Sequence, residues 1–232
     1  MADLELTVCV FAWNEVETAA KVVHEIADAV RRLEVPFELV LIDDGSSDGT
    51  GEAFDALAKE IPEARVIHHG KNEGLGPVYR TGFEAARGRY LTFFPADGQF
   101  PATIILDFFP RMDLLDLCLG YLPGRTDPVG RALSGIERVL YRMLLGKLPR
   151  FQGIFMIRTT VLRAIPLASR GRGWAIVMEL LLRASRRKYR IESFPTSYRP
   201  RIAGQSKVNN WKSIQANLRQ LLALRKLVPP SG

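Results

Sequence analysis

The sequence predicts an α/β protein of one domain, built on a mostly parallel, doubly wound sheet flanked by helices. Short apolar runs alternate repeatedly with stretches of helical periodicity, and each of the polar clusters in the first hundred residues directly follows such a run. A chain of 232 residues, with 47% apolar and 25% charged residues, also suffices for one well-buried core.

The elements follow in order. Residues 6–11 form an apolar run. Residues 15–33 then place Ala19, Val22, Val23, Ile26 and Val30 on one helical face. Pro36 ends that helix. Residues 37–42 give a second strand, closed by Asp43-Asp44-Gly45-Ser46-Ser47-Asp48-Gly49-Thr50, and residues 52–59 a second helix. A third strand at 65–68, a helix at 76–86 and a fourth strand at 89–94 lead to Pro95-Ala96-Asp97-Gly98-Gln99. The second half is less regular. It offers a basic amphipathic helix at 129–148, a strand at 153–157, a helix at 174–184, a strand at 189–194 and an amphipathic C-terminal helix at 211–227. In open parallel sheets, ligands sit outside the carboxyl ends of the strands, where these polar clusters fall.

Charge and cysteine usage narrow the partners. The net charge of +7 and pI near 9.6 call for an anionic partner. Acidic residues dominate the motif-bearing first half, whereas Arg and Lys crowd the chain from Arg125 onward. Such segregation suits a metal-nucleotide at one end and phosphates or an anionic membrane surface at the other, and not nucleic acid. Cys9 and Cys118 lie in apolar runs and read as buried thiols. Neither a signal peptide nor a membrane span is recognised, so a cytoplasmic protein is expected. His24, His68 and His69 show no ligand pattern and are expected at the surface or in loops.

Short oxygens in the 43–50 loop can cap a helix and accept hydrogen bonds from a base or ribose. Asp97-Gly98-Gln99 places oxygens at a strand tip where a divalent cation and a diphosphate could meet. Either cluster alone could be only a turn. Taken in order with Val10-Phe11-Ala12-Trp13-Asn14-Glu15, Asn72-Glu73-Gly74-Leu75-Gly76 and Ala85-Ala86-Arg87-Gly88, the set resembles the family 2 inverting glycosyltransferases. Phe151-Gln152-Gly153-Ile154-Phe155-Met156-Ile157-Arg158, Met178-Glu179-Leu180 and Arg201-Ile202-Ala203-Gly204-Gln205-Ser206-Lys207 resemble its dolichyl-phosphate mannosyltransferase and bacterial polyprenyl-phosphate branch.

That resemblance implies a single Rossmann-like domain of the GT-A type over residues 1–210. Its donor half spans about 1–125 and its acceptor half about 126–210, with residues 211–232 as an amphipathic helix and tail. It implies Phe11, Trp13 and Glu15 in the base pocket, Asp44 on base or ribose, and Ala96 beside the donor. Asp97 and Gln99 match the metal and diphosphate positions, with Mg2+ or Mn2+ as cofactor. Arg125, Arg201 and Lys207 are candidates to neutralise donor or acceptor phosphates, so that Asp97, Arg201 and Lys207 form the catalytic set. One departure stands out: the family usually has an acidic residue where this chain has Pro95. Asp97 can hold Mg2+ with the nucleotide's phosphates, basic side chains can replace part of the metal's role, or activity is lost.

The implied reaction is sugar transfer, with inversion, from a nucleoside-diphosphate sugar to a polyprenyl phosphate at the inner membrane face, the protein being cytoplasmic or peripheral there. A phosphate acceptor is already an anion at neutral pH and needs no general base. Glu179 is the one helix-borne acid considered as a base, and a brace for the basic loop is its expected role. Two alternatives remain open: a soluble relative acting on a hydroxyl, and a non-catalytic nucleotide-binding descendant. A nucleotidyltransferase is disfavoured, because Phe11 to Glu15 stand where its glycine-rich loop would be.

Overall fold

The computed structural model describes residues 3–123, 149–199 and Leu227. The expected helices at 129–148 and 211–227, the boundary at 210, and Arg125, Arg201 and Lys207 fall outside these residues, apart from Leu227 itself.

Among the described residues the central sheet has seven strands, β1 (Leu6–Ala12), β2 (Phe37–Asp43), β3 (Ala64–His68), β4 (Tyr90–Pro95), β5 (Leu117–Tyr121), β6 (Phe155–Arg158) and β7 (Ile191–Pro195). Their order is β3-β2-β1-β4-β6-β5-β7. Every neighbouring pair is parallel except the two that β6 makes, with β4 and β5. Because β1, β2 and β4 are covered on both faces, they read in sequence as continuous apolar runs.

Alternate residues of β1 serve two cores. Leu6, Val8 and Val10 join the apolar side chains of α1 (Val16–Arg31), α2 (Thr50–Glu60) and α4 (Thr103–Phe108). Cys9 and Phe11 join those of α3 (Leu75–Ala85), α5 (Thr159–Ala164) and α6 (Ala175–Arg186) on the opposite face. The helices therefore form two layers around one sheet. Both cysteines are buried and free, and burial pushes the Cys118 thiol up to about 12. Sequence periodicity does not anticipate α4, the 3-10 turn Phe109–Asp113, β5 or α5, all of six residues or fewer.

Candidate active site

The parallel strands bring the predicted loops to one pole. Three N–H groups of the β1–α1 connection donate to side chains of the β2–α2 loop: Asn14 to Ser46 Oγ (2.9 Å), Glu15 to Thr50 Oγ1 (3.0 Å) and Val16 to Asp48 Oδ2 (3.1 Å). In return the Ser47 N–H donates to Asn14 Oδ1 at 2.9 Å. The start of α1 is thus capped from a distant loop, which satisfies groups that a helix terminus leaves unpaired. Asn14 turns the chain at φ 54, a conformation its short polar side chain tolerates. Burial works against the Asp48 charge, but the Thr50 hydroxyl and the N–H groups of Val16 and Thr50 outweigh it and hold its pKa below the ordinary value. Beside this stitched loop Trp13 stands 38% exposed, a flat apolar surface at the tip of β1. Phe11 is half-buried and packs on Tyr79 of α3 with ring centroids 6.0 Å apart.

Asp44 organises the next loop. Its Oδ1 accepts from His69 Nδ1 at 2.8 Å and the Glu73 N–H at 3.0 Å, and its Oδ2 from Asn72 Nδ2 at 2.9 Å and the Gly74 N–H at 2.8 Å. These donors fill the four lone-pair directions of a carboxylate. Asp44 therefore fixes residues 69–74, and any bond to a ribose or base competes with one of these four. His68 is exposed and His69 lies in the loop after β3, as expected, yet both pair with carboxylates. His69 is largely buried, and its Nε2 pairs with Thr81 Oγ1 at 2.9 Å. His68 bridges Asp43 at 3.3 Å and Asp55 at 3.1 Å. Strand register explains both, since Asp43 lies opposite His68 in the β2–β3 pair.

The β4 tip carries the expected metal position. Pro95 lies opposite Phe11, at the last paired position of the strand. Ala96, expected beside the donor, is 0% exposed; its N–H donates to Phe11 O, and its carbonyl accepts from Thr18 Oγ1 at 2.6 Å. It is a packing residue beneath α1. Asp97 is half-buried and its Oδ1 accepts the Gln99 N–H at 3.0 Å. Gln99 Nε2 donates to the Tyr198 hydroxyl, and Gln99 O accepts the Arg199 N–H at 2.8 Å. Arg199 in turn reaches both oxygens of Glu25 at 3.0 Å. Among the described residues no three His, Cys, Asp or Glu side chains form a preformed metal cluster. A Mg2+ or Mn2+ ion that arrives with a diphosphate needs only one or two protein carboxylates. Asp97, with Gln99 beside it, fits that demand.

Glu179 of α6 is 0% exposed. It accepts the N–H groups of Ala168 (3.1 Å) and Ser169 (2.7 Å) and pairs with Arg183 Nε at 2.8 Å. It braces the segment that begins at Ala168. The strap it holds, residues 168–174, ends at Trp174, which is exposed and meets Phe151 edge-on at 6.1 Å.

A mostly parallel sheet with acidic loops at its strand tips defines a GT-A type sugar-transferase fold. The family model for glycosyl transferase family 2 matches residues 7–155, and the chain belongs to that family and is a glycosyltransferase. Undecaprenyl-phosphate mannosyltransferase of Micrococcus luteus is 29% identical over 209 residues, covering 85% of this chain and 84% of that protein. Dolichol-phosphate mannosyltransferase of Saccharomyces cerevisiae is 30% identical over 198 residues, covering 81% and 74%. Among solved structures, glucosyl-3-phosphoglycerate synthase of Mycobacterium tuberculosis, with Mn2+, UDP and glucosyl-3-phosphoglycerate, superposes with a TM-score of 0.72. That match has 20% identity and covers 100% of this chain and 82% of the other.

Proposed function

We propose that the protein transfers a sugar, with inversion, from a nucleoside-diphosphate sugar to a polyprenyl phosphate at the inner face of the cell membrane. The observation that carries this reading is the state of Glu179. A hydroxyl acceptor needs a base to take its proton. The acid expected on the acceptor side is buried and already engaged by Ala168, Ser169 and Arg183. A phosphate monoester, with a second pKa of about 6, attacks as an anion without such help. The names of the bacterial and yeast relatives support the same acceptor class.

In this reading Phe11, Trp13 and Glu15 line the base pocket, and Asp44 holds the loop beside the ribose. Asp97 and Gln99 meet the diphosphate and its Mg2+ or Mn2+, while Arg125, Arg201 and Lys207 neutralise donor and acceptor phosphates. The metal's chemistry is to offset the charge that grows on the departing nucleoside diphosphate. The UDP and Mn2+ of the mycobacterial structure support this donor class. The amphipathic segments at 129–148 and 211–227 supply the membrane contact; no described helix is long and apolar enough to cross a bilayer.

The test is incubation of the purified protein with UDP- and GDP-sugars, Mg2+ or Mn2+, and undecaprenyl phosphate, followed by extraction of the lipid. Metal-dependent label in the lipid phase that vanishes in Asp97→Ala is the expected result. Transfer to a hydroxyl acceptor with none to the lipid overturns the acceptor assignment. Nucleotide binding without transfer to either favours the non-catalytic reading that rests on Pro95.

A further inference from the structure

We infer that Arg172 is a positioning residue for the donor site, acting through Asn72 on Asp44. The inference rests on the donor half binding a nucleoside diphosphate, as proposed above. Arg172 Nη2 donates to the backbone carbonyl of Asn72 at 2.9 Å and to its side-chain Oδ1 at 2.7 Å. The other end of that amide, Nδ2, donates to Asp44 Oδ2 at 2.9 Å. A guanidinium can only donate and a carboxylate can only accept, so the Asn72 amide between them has one orientation that satisfies both. Without the guanidinium only the bond to Asp44 orients the amide, and Asn72 loses both contacts that tie it to the strap. Rotation of the amide would then present oxygen to oxygen at Asp44, removing one of the four bonds that order residues 69–74.

The strap is built to deliver Arg172 to this place. Glu179 fixes its first residues, and Arg80 Nη2 donates to Ser169 O at 2.5 Å. At its centre the Arg172 carbonyl accepts the Gly76 N–H at 3.0 Å. The approach is so close that a Cβ on Gly74 would lie 2.6 Å from Arg172 O, and one on Gly76 would lie 1.9 Å from Gly171 O. Gly74 also has φ 91, which side chains rarely adopt. The glycines of the Asn72 to Gly76 motif therefore admit the strap as well as shaping the turn. They join the donor loop to a segment about a hundred residues later in the chain.

The experiment is isothermal titration of the full-length protein with UDP and GDP in the presence of Mn2+, alongside melting temperature, for wild type, Arg172→Ala, Arg172→Lys, Asn72→Ala and the Arg172→Ala/Asn72→Ala double variant. Arg170→Ala, on the same strap, is the control. Arg172→Ala is expected to weaken nucleotide binding about tenfold with its melting temperature within a few degrees of wild type, and Arg172→Lys to recover most of the loss. The double variant should lose little beyond Asn72→Ala, because only the Arg172 bond to the residue 72 carbonyl remains to be removed. Unchanged affinity in Arg172→Ala, additive losses in the double variant, or equal weakening by Arg170→Ala would each overturn the inference. Wild-type protein that binds neither nucleotide overturns the donor assignment together with it. Binding without sugar transfer touches only the proposed reaction.

Discussion

Arg183 Nε donates to Glu179 Oε1 at 2.8 Å across one turn of α6, and the carboxylate so held has no solvent-exposed surface. Replacing Glu179 by Ala leaves the Ala168 and Ser169 N–H groups and the guanidinium without their acceptor, at an expected cost of about 3 kcal/mol. Glu179→Gln keeps the shape and one acceptor oxygen and should cost about 1–2 kcal/mol. Urea unfolding midpoints measure both. Because Glu179 braces and does not take a proton, kcat in Glu179→Gln should stay within a few-fold of wild type. A loss of a thousandfold would make it the base.

The same residue sets an acid limit. Burial raises the Glu179 pKa, but the N–H groups of Ala168 and Ser169 and the Arg183 guanidinium outweigh it, so the folded value is lowered. Its stabilisation is then present above the ordinary glutamate pKa and is lost as pH falls through the lowered one. In acid titrations followed by circular dichroism, wild type should lose more stability over that range than Glu179→Gln does.

Pro95 is the place to restore a carboxylate. Pro95→Asp puts a second acid at the β4 tip, two residues before Asp97. The Mn2+ concentration for half-maximal nucleotide binding should fall about tenfold, a change of roughly 1.4 kcal/mol. Metal titration at fixed UDP or GDP reads this directly; no change would mean that Asp97 does not lie at the metal.

Gly76→Ala places a methyl group against the Gly171 carbonyl. A backbone atom cannot step aside as a flexible side chain can, so the strap should lift, at about 2 kcal/mol. Limited proteolysis should then cut within residues 168–174, where wild type resists.

His68 offers a titration that reports on the β3 tip. Its hydrogen bond to Asp55 raises its pKa most; burial pulls it down, and Asp43 adds to the rise. The charged form is therefore favoured in the folded protein, and its contribution is full at low pH and fades as pH rises through the folded value. An NMR titration should show a midpoint above the ordinary histidine value, and Asp55→Asn should lower it.

The strands that carry the site were legible because burial on both faces makes them plain apolar runs, and α1 because Ala19, Val22, Val23, Ile26 and Val30 keep helical spacing. β5 and α5 were not, since five or six residues are too few for a period to emerge. The acidic loops could be placed at strand tips from the alternation of elements alone. The partners of Asp44 could not: His69 reaches it through the pairing of β2 with β3, and Asn72 is oriented by an arginine from a different half of the chain. The burial of Ala96 could not be read either, because only the fold shows that the residue beside Asp97 is wholly enclosed.

The reversed direction of β6 brings its start to the ligand pole. β5 ends and β6 begins at the ligand pole, where Gly120 N–H donates to Ile154 O at 2.7 Å and Gln152 N–H to Gly120 O at 2.8 Å. The described ends of the chain between them therefore lie at the same rim. Among the described residues no strand pairing runs through that connection, so the register of the sheet is set outside it.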